Sequence, residues 1–240
     1  MPKSIVMDER DAIVSIGERR LLGALSIPES PKGVVLFAHG SGSGRNSPRN
    51  RFVASELSQA GFATFLLDLL DPEEAEEQDK VFDSLLLARR LLKAAEWLRK
   101  DEDTRGLPIG LFGASTGAAA ALLAAAMQSD FIAAVVSRGG RPDLVLECLH
   151  LVRCPTLLMV GADDEPVVTW NREAYAALKC RKELAVIPGA THLVPEPGAL
   201  EESARRARVW CSRFLSAQQN SEHRVGNYTS HIEAERKASI

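Results

Sequence analysis

The sequence has no long apolar run. The longest, AAAALLAAAM at 118–127, is too short to cross a bilayer, and the opening MPKSIVMDERDAIVSIGERR is broken by charge every few residues. Neither a membrane span nor a signal peptide is expected. A basic block is also missing: 29 Lys and Arg face 32 Asp and Glu, for a net charge of −3. That excludes the electrostatic footprint of a nucleic-acid binder and leaves a small-molecule partner as the expectation. Cysteine is sparse and unpatterned. Cys148, Cys154, Cys180 and Cys211 show no C-x-x-C spacing, which fits reduced thiols in a cytoplasm better than a disulfide frame or a zinc site. No internal repeat is present.

What is there is a strong alternation of apolar runs and helical patterns. Runs rich in Val, Ile, Leu and Phe fall at 33–38, 62–67, 107–112, 132–137, 156–160 and 184–187. Helical patterns fall near 48–60, 79–100, 115–128, 165–180 and 198–216. Continuous apolar strands between helices imply a mostly parallel, doubly wound sheet covered on both faces, in one α/β domain over 1–216. Ahead of it, AIVSIGERRLLGALSIP reads as two short strands around a Gly-Glu-Arg turn, an antiparallel edge. Only 139–153 separate two of the strands, which leaves space for a short helix and not for a large cap domain. From residue 217 to 240 the chain is polar without a hydrophobic period and reads as a loose tail.

Chemistry concentrates at GLFGASTGAAAALLAAA, 110–126, where an apolar run turns through a Gly-Ala-Ser-Thr-Gly corner into an alanine-rich helix. A nucleophile elbow needs G-x-S-x-G at such a corner, because the serine backbone is strained and a Cβ at the flanking positions would collide with neighbours. Ser115 is the candidate nucleophile. An activated serine needs a base and an acid that orients it, in the chain order Ser, Asp or Glu, His. His192, after LAVIPG, is the one histidine with that order and place: His39 precedes the elbow, His150 lies in a connecting segment, and His223 and His231 fall in the tail. For the acid, Asp163, Asp164 and Glu165 follow the strand CPTLLMVG, and Asp143 in GGRPDLV is a substitute. The oxyanion donors expected by position are the amides of Thr116 and of Ser41 in FAHGSGSGR. That glycine-rich loop lacks both G-x-x-x-x-G-K-[ST] and G-x-G-x-x-G spacing, which weighs against a phosphate cradle. Arg138 and Arg141 follow a strand and are candidates for the crevice mouth, where they would bind a carboxylate or phosphate on the substrate. The acidic DPEEAEEQD at 71–79 reads as a solvated cap of the following helix.

The stretches FAHGSGSGRNSPRN, GFATFLLDLLDPEE, GLFGASTGAAAAL, VVSRGGRPDL, CPTLLMVGADDEPV and IPGATHLVPEPGALEESA resemble the α/β-hydrolase superfamily, and within it the dienelactone-hydrolase-like group, over roughly residues 20–215. The family pattern G-x-x-D-x-x-V falls on Gly161, Asp164 and Val167, so the resemblance implies Asp164 as the acid. Dienelactone hydrolases proper carry a cysteine at the nucleophile position. Ser115 stands here, so the resemblance implies acyl chemistry without implying dienelactone as substrate. Members of this group also occur fused to a phosphoribosyltransferase domain, and these 240 residues show no such domain.

The expectation is a serine hydrolase of a small-molecule carboxylic ester, thioester or lactone, acting as a monomer or small homo-oligomer, with no metal or organic cofactor required. Acyl transfer to an alcohol or amine, amide cleavage, and ligand binding on an idle hydrolase fold are the alternatives.

Overall fold

In the computed structural model, which describes residues 7–215, the chain opens with a hairpin. Its strands are β1 (Met7–Ile16) and β2 (Arg19–Pro28), paired antiparallel across a turn that holds Gly17 at φ 60°. Ala12 and Val14 of β1 point inward while Ile13 is exposed, the period-two pattern of a sheet edge with one wet face. The expected tail at 217–240 lies outside the described residues.

The strands that follow are short and buried on both faces: β3 (Val34–Ala38), β4 (Ala63–Leu67), β5 (Ile109–Ala114), β6 (Ala134–Arg138) and β7 (Thr156–Gly161). With β8 (Lys182–Ile187) they complete a sheet of order β1-β2-β4-β3-β5-β6-β7-β8, parallel from β4 to β8. One face carries α1 (Pro48–Gln59) and α6 (Ala199–Phe214), whose Val53, Leu57 and Trp210 pack with Phe37 and Phe112. The other carries α3 (Ser84–Leu98), α4 (Thr116–Met127) and α5 (Val167–Ala177). Helix α4 lies between α3 and the 3-10 segment Pro142–Leu151. Its alanines at 118–121, 124 and 125 are all fully buried, so small side chains are what let it approach the sheet this closely.

The helical pattern at 79–100 divides into α2 (Gln78–Val81) and α3, because the Asp83 carboxylate accepts the Leu86 amide at 2.9 Å and caps a new helix start. The acidic stretch before it is mostly exposed, as the sequence suggests, with one departure. Glu74 within it is buried, held by both terminal guanidinium nitrogens of Arg90 on α3 at 2.6 and 2.8 Å. The segment 71–82 is thereby pulled against the molecule as a wall. Among the described residues no helix is long and apolar enough to cross a membrane.

Candidate active site

The C-terminal ends of β3, β5, β7 and β8 converge, and each supplies one piece of a single constellation. At the end of β5, Ser115 takes φ 52° and ψ −123°, a conformation that costs an L-residue about 1–3 kcal/mol and persists only when its surroundings impose it. They do. The Ser115 amide donates to the Arg138 carbonyl at 3.1 Å, and its own carbonyl accepts from Ala118 and Arg141 at 3.0 and 3.2 Å. A Cβ on Gly117 would run into the carbonyl oxygens of Ala38 and His39, so glycine there lets α4 start directly beside β3.

His192 Nε2 lies 3.3 Å from Ser115 Oγ, and His192 Nδ1 lies 2.8 Å from Asp164 Oδ2. A carboxylate oxygen only accepts, so Nδ1 carries the proton toward Asp164 and leaves Nε2 as acceptor for the serine hydroxyl. The approach of the two loops depends on Gly161, since a Cβ there would strike the carbonyl oxygens of Ala190 and Thr191. After His192, Leu193 and Val194 both hold positive φ (63° and 53°), a second pocket of backbone strain.

The neighbouring acids are placed elsewhere. Asp163 is exposed, Glu165 accepts from Thr169, and Asp143 is bound in two-pronged fashion by Arg141 at 2.7 and 2.9 Å. The same Arg141 guanidinium lies 4.4 Å from the Trp170 ring, so its charge is already engaged.

Arg138 departs from the position expected of it. It is 1% exposed rather than at the crevice mouth. Successive residues of a strand face opposite sides, and this one falls on the α1 side, where its guanidinium lies 5.5 Å from the Phe112 ring and donates to Asn50 Oδ1 at 2.8 Å. Burial lowers its pKa to about 10.

The loop after β3 is clamped from two directions that sequence reading missed. His39, half-buried and with its pKa lowered by desolvation, donates from Nδ1 to the Gly40 carbonyl and accepts the Leu69 amide on Nε2, each at 3.0 Å. Asp68, at the end of β4, accepts the Arg45 amide at 2.6 Å and pairs with the Arg45 guanidinium. Asp68 follows the same rule as the other site residues, an acid just past the C-terminal end of a strand, and that was the available signal. Within the clamped loop the Ser41 amide donates to Thr116 Oγ1 at 3.0 Å, so one expected oxyanion donor already has an acceptor in the resting site. Of the four cysteines, Cys154 and Cys211 are buried with their thiols pushed up to about 12, so neither offers a reactive thiolate.

Known proteins share this fold. A family model described as "Dienelactone hydrolase family" matches residues 21–217. A crystal structure of a dienelactone hydrolase from Anabaena variabilis is 50% identical with a TM-score of 0.85, covering 87% of this chain and 99% of its own. Est1E from Butyrivibrio proteoclasticus, 17% identical with a TM-score of 0.72 over 85% of this chain and 98% of its own, shares the fold. Two Mycobacterium tuberculosis relatives carrying the name "Putative phosphoribosyl transferase" are 52% identical over 203 residues, 85% of this chain. The chain spans 46% of the length of those relatives.

Proposed function

This chain belongs to the dienelactone hydrolase family and is an α/β-hydrolase, and from the arrangement at its strand ends we propose that it is a serine hydrolase of small carboxylic esters, thioesters or lactones. The single observation that carries the proposal is the run of hydrogen-bond distances Ser115–His192–Asp164, 3.3 and 2.8 Å, ending on a buried carboxylate. In this reading His192 Nε2 takes the Ser115 proton as Oγ attacks the carbonyl carbon. The tetrahedral oxyanion is held by the Thr116 amide and by the Ser41 amide, which turns to it from Thr116 Oγ1, and His192 then protonates the leaving oxygen. Water, activated by the same imidazole, releases the acyl group. Asp164 keeps the proton on Nδ1 and stabilises the imidazolium that forms. The transferase name of the mycobacterial relatives belongs to proteins about twice as long as the matched stretch, and an elbow serine with an imidazole base supports acyl chemistry here.

Intact-mass analysis after a fluorophosphonate probe tests this. One adduct per native chain that vanishes in Ser115→Ala and in His192→Ala is the expected result. A folded native chain that stays unlabelled would make the site idle and leave ligand binding as its role.

Thr116 gives a second, finer test. Its hydroxyl positions the Ser41 amide, and a hydrogen bond of this kind is worth about 1 kcal/mol net. Thr116→Val is expected to lower kcat about fivefold with KM nearly unchanged, and Thr116→Ser to restore it. A KM effect alone, in steady-state kinetics, would assign the side chain to substrate binding instead.

A further inference from the structure

Beside the clamped loop lies a cavity of about 350 Å³, at the small end of the range for small-molecule sites. Its floor is Gly40, Ser41 and Thr116, and its apolar walls come from Leu21 and Leu22 of β2, Leu70, Ala75, Val81 and Leu87. Ala75 and Val81 belong to the segment 71–82, held in place by the buried Glu74–Arg90 pair, and Asp71 is pinned from below by Arg19. The wall therefore spans two parts of the chain that only the fold brings together.

We propose that this cavity is the acyl-group pocket, and that the protein selects esters of medium-length, uncharged acyl chains while accepting varied alcohols. This rests on the serine-hydrolase reading above. The tetrahedral carbon would bear four groups: Ser115 Oγ, the oxyanion, the leaving oxygen and the acyl carbon. The leaving oxygen must face His192 Nε2 to receive its proton, and the oxyanion must face the Ser41 and Thr116 amides. The acyl carbon takes the remaining direction. The cavity borders Ser41 and Thr116, the residue next to Ser115, and neither Ser115 nor His192 lines it, so it opens from the oxyanion side of the serine, away from the leaving group, and receives the acyl chain. On the opposite side the His192 side chain is 41% exposed, which leaves the alcohol in contact with water. The charged groups at the cavity's edge favour a neutral chain: Arg45 is paired with Asp68 and Asp71 with Arg19, and Arg20 and Glu76 bring opposite signs to the rim.

The test is kcat/KM for p-nitrophenyl acetate, butanoate and hexanoate, beside ethyl and hexyl esters of one acid, in the native chain and in Ala75→Trp. Ala75 is exposed on the wall, so the indole fills the cavity without entering the core. In the native chain the hexanoyl ester, four methylenes longer, is expected to exceed the acetyl ester by at least about 10-fold, the low end of the range for even one methylene in an apolar pocket, while ethyl and hexyl esters agree within about threefold. In Ala75→Trp the acyl preference is expected to collapse, hexanoyl turnover falling to the level of acetyl turnover. A labelled native chain with a flat acyl series, or an Ala75→Trp chain with the native series, overturns the pocket and leaves the hydrolase reading intact. A preference for the longer alcohol overturns the orientation. A native chain that the probe leaves unlabelled overturns the hydrolase reading and the pocket with it.

Discussion

Replacing Ser115 with alanine is expected to lower kcat for a good ester substrate by about a millionfold, the size of loss seen when a triad nucleophile is removed. What remains would come from binding and the oxyanion amides alone. His192→Ala should fall about as far, because serine and base act as one unit and their losses do not add. Asp164→Asn tests the choice of acid. It keeps the shape of the side chain but offers an amide where a carboxylate stood 2.8 Å from His192 Nδ1, favouring the wrong tautomer, and kcat is expected to drop about 10⁴-fold. Asp163→Asn should turn over at the native rate, since that side chain is exposed in the structure. Steady-state kinetics on the four variants, with circular dichroism to show that each is folded, checks the set. If Asp163→Asn collapses and Asp164→Asn does not, the acid has been misassigned.

The second large effect concerns stability. Glu74 and Arg90 expose 5% and 7% of their side chains, and Arg90 Nη1 also donates to the Leu69 carbonyl at 2.7 Å. Glu74→Ala would strand a buried guanidinium with one neutral partner, at a cost of about 3–5 kcal/mol. Replacing both residues with apolar ones of similar volume removes the stranded charge, so Glu74→Leu with Arg90→Met should recover most of that loss. Urea unfolding of the single and double variants measures it, and a double variant as unstable as the single would mean that the loss lies in packing and not in charge.

A pH dependence accompanies the pair. Hydrogen bonds from Arg90 hold the Glu74 carboxyl down from its ordinary 4.5 to about 2. A carboxyl depressed on folding contributes stability that is full above about 4.5 and is lost as the pH falls toward 2. The native chain should therefore lose part of its unfolding free energy across that window, and the apolar double variant should lose less.

Much of this was readable along the chain. The alternation of buried strands with amphipathic helices is a local property of side-chain period, and so the parallel sheet, its antiparallel hairpin edge and the short connection between β6 and β7 follow from the residues alone. The elbow is local too, because a serine at φ 52° between glycines needs only its immediate neighbours to be identified. The break between α2 and α3 was missed because the apolar face continues through it, and only the Asp83 cap marks the new start.

The sequence by itself determined the class of fold, the strand-to-corner-to-helix turn at Ser115 and the chain order serine, acid, histidine, with the acid left open among Asp163, Asp164, Glu165 and Asp143, since periodicity, glycine at tight approaches and chain order are written in consecutive residues. The tertiary structure alone decided which way side chains face. It buried Arg138 under α1 instead of at the mouth, tied Asp143 to Arg141, bound the Ser41 amide to a hydroxyl 75 residues away, and drew an acidic stretch into a pocket wall through a pair 16 residues apart. The physical reason is that a side chain at a strand end or on a loop takes its direction from packing against distant elements, and no local period carries that information.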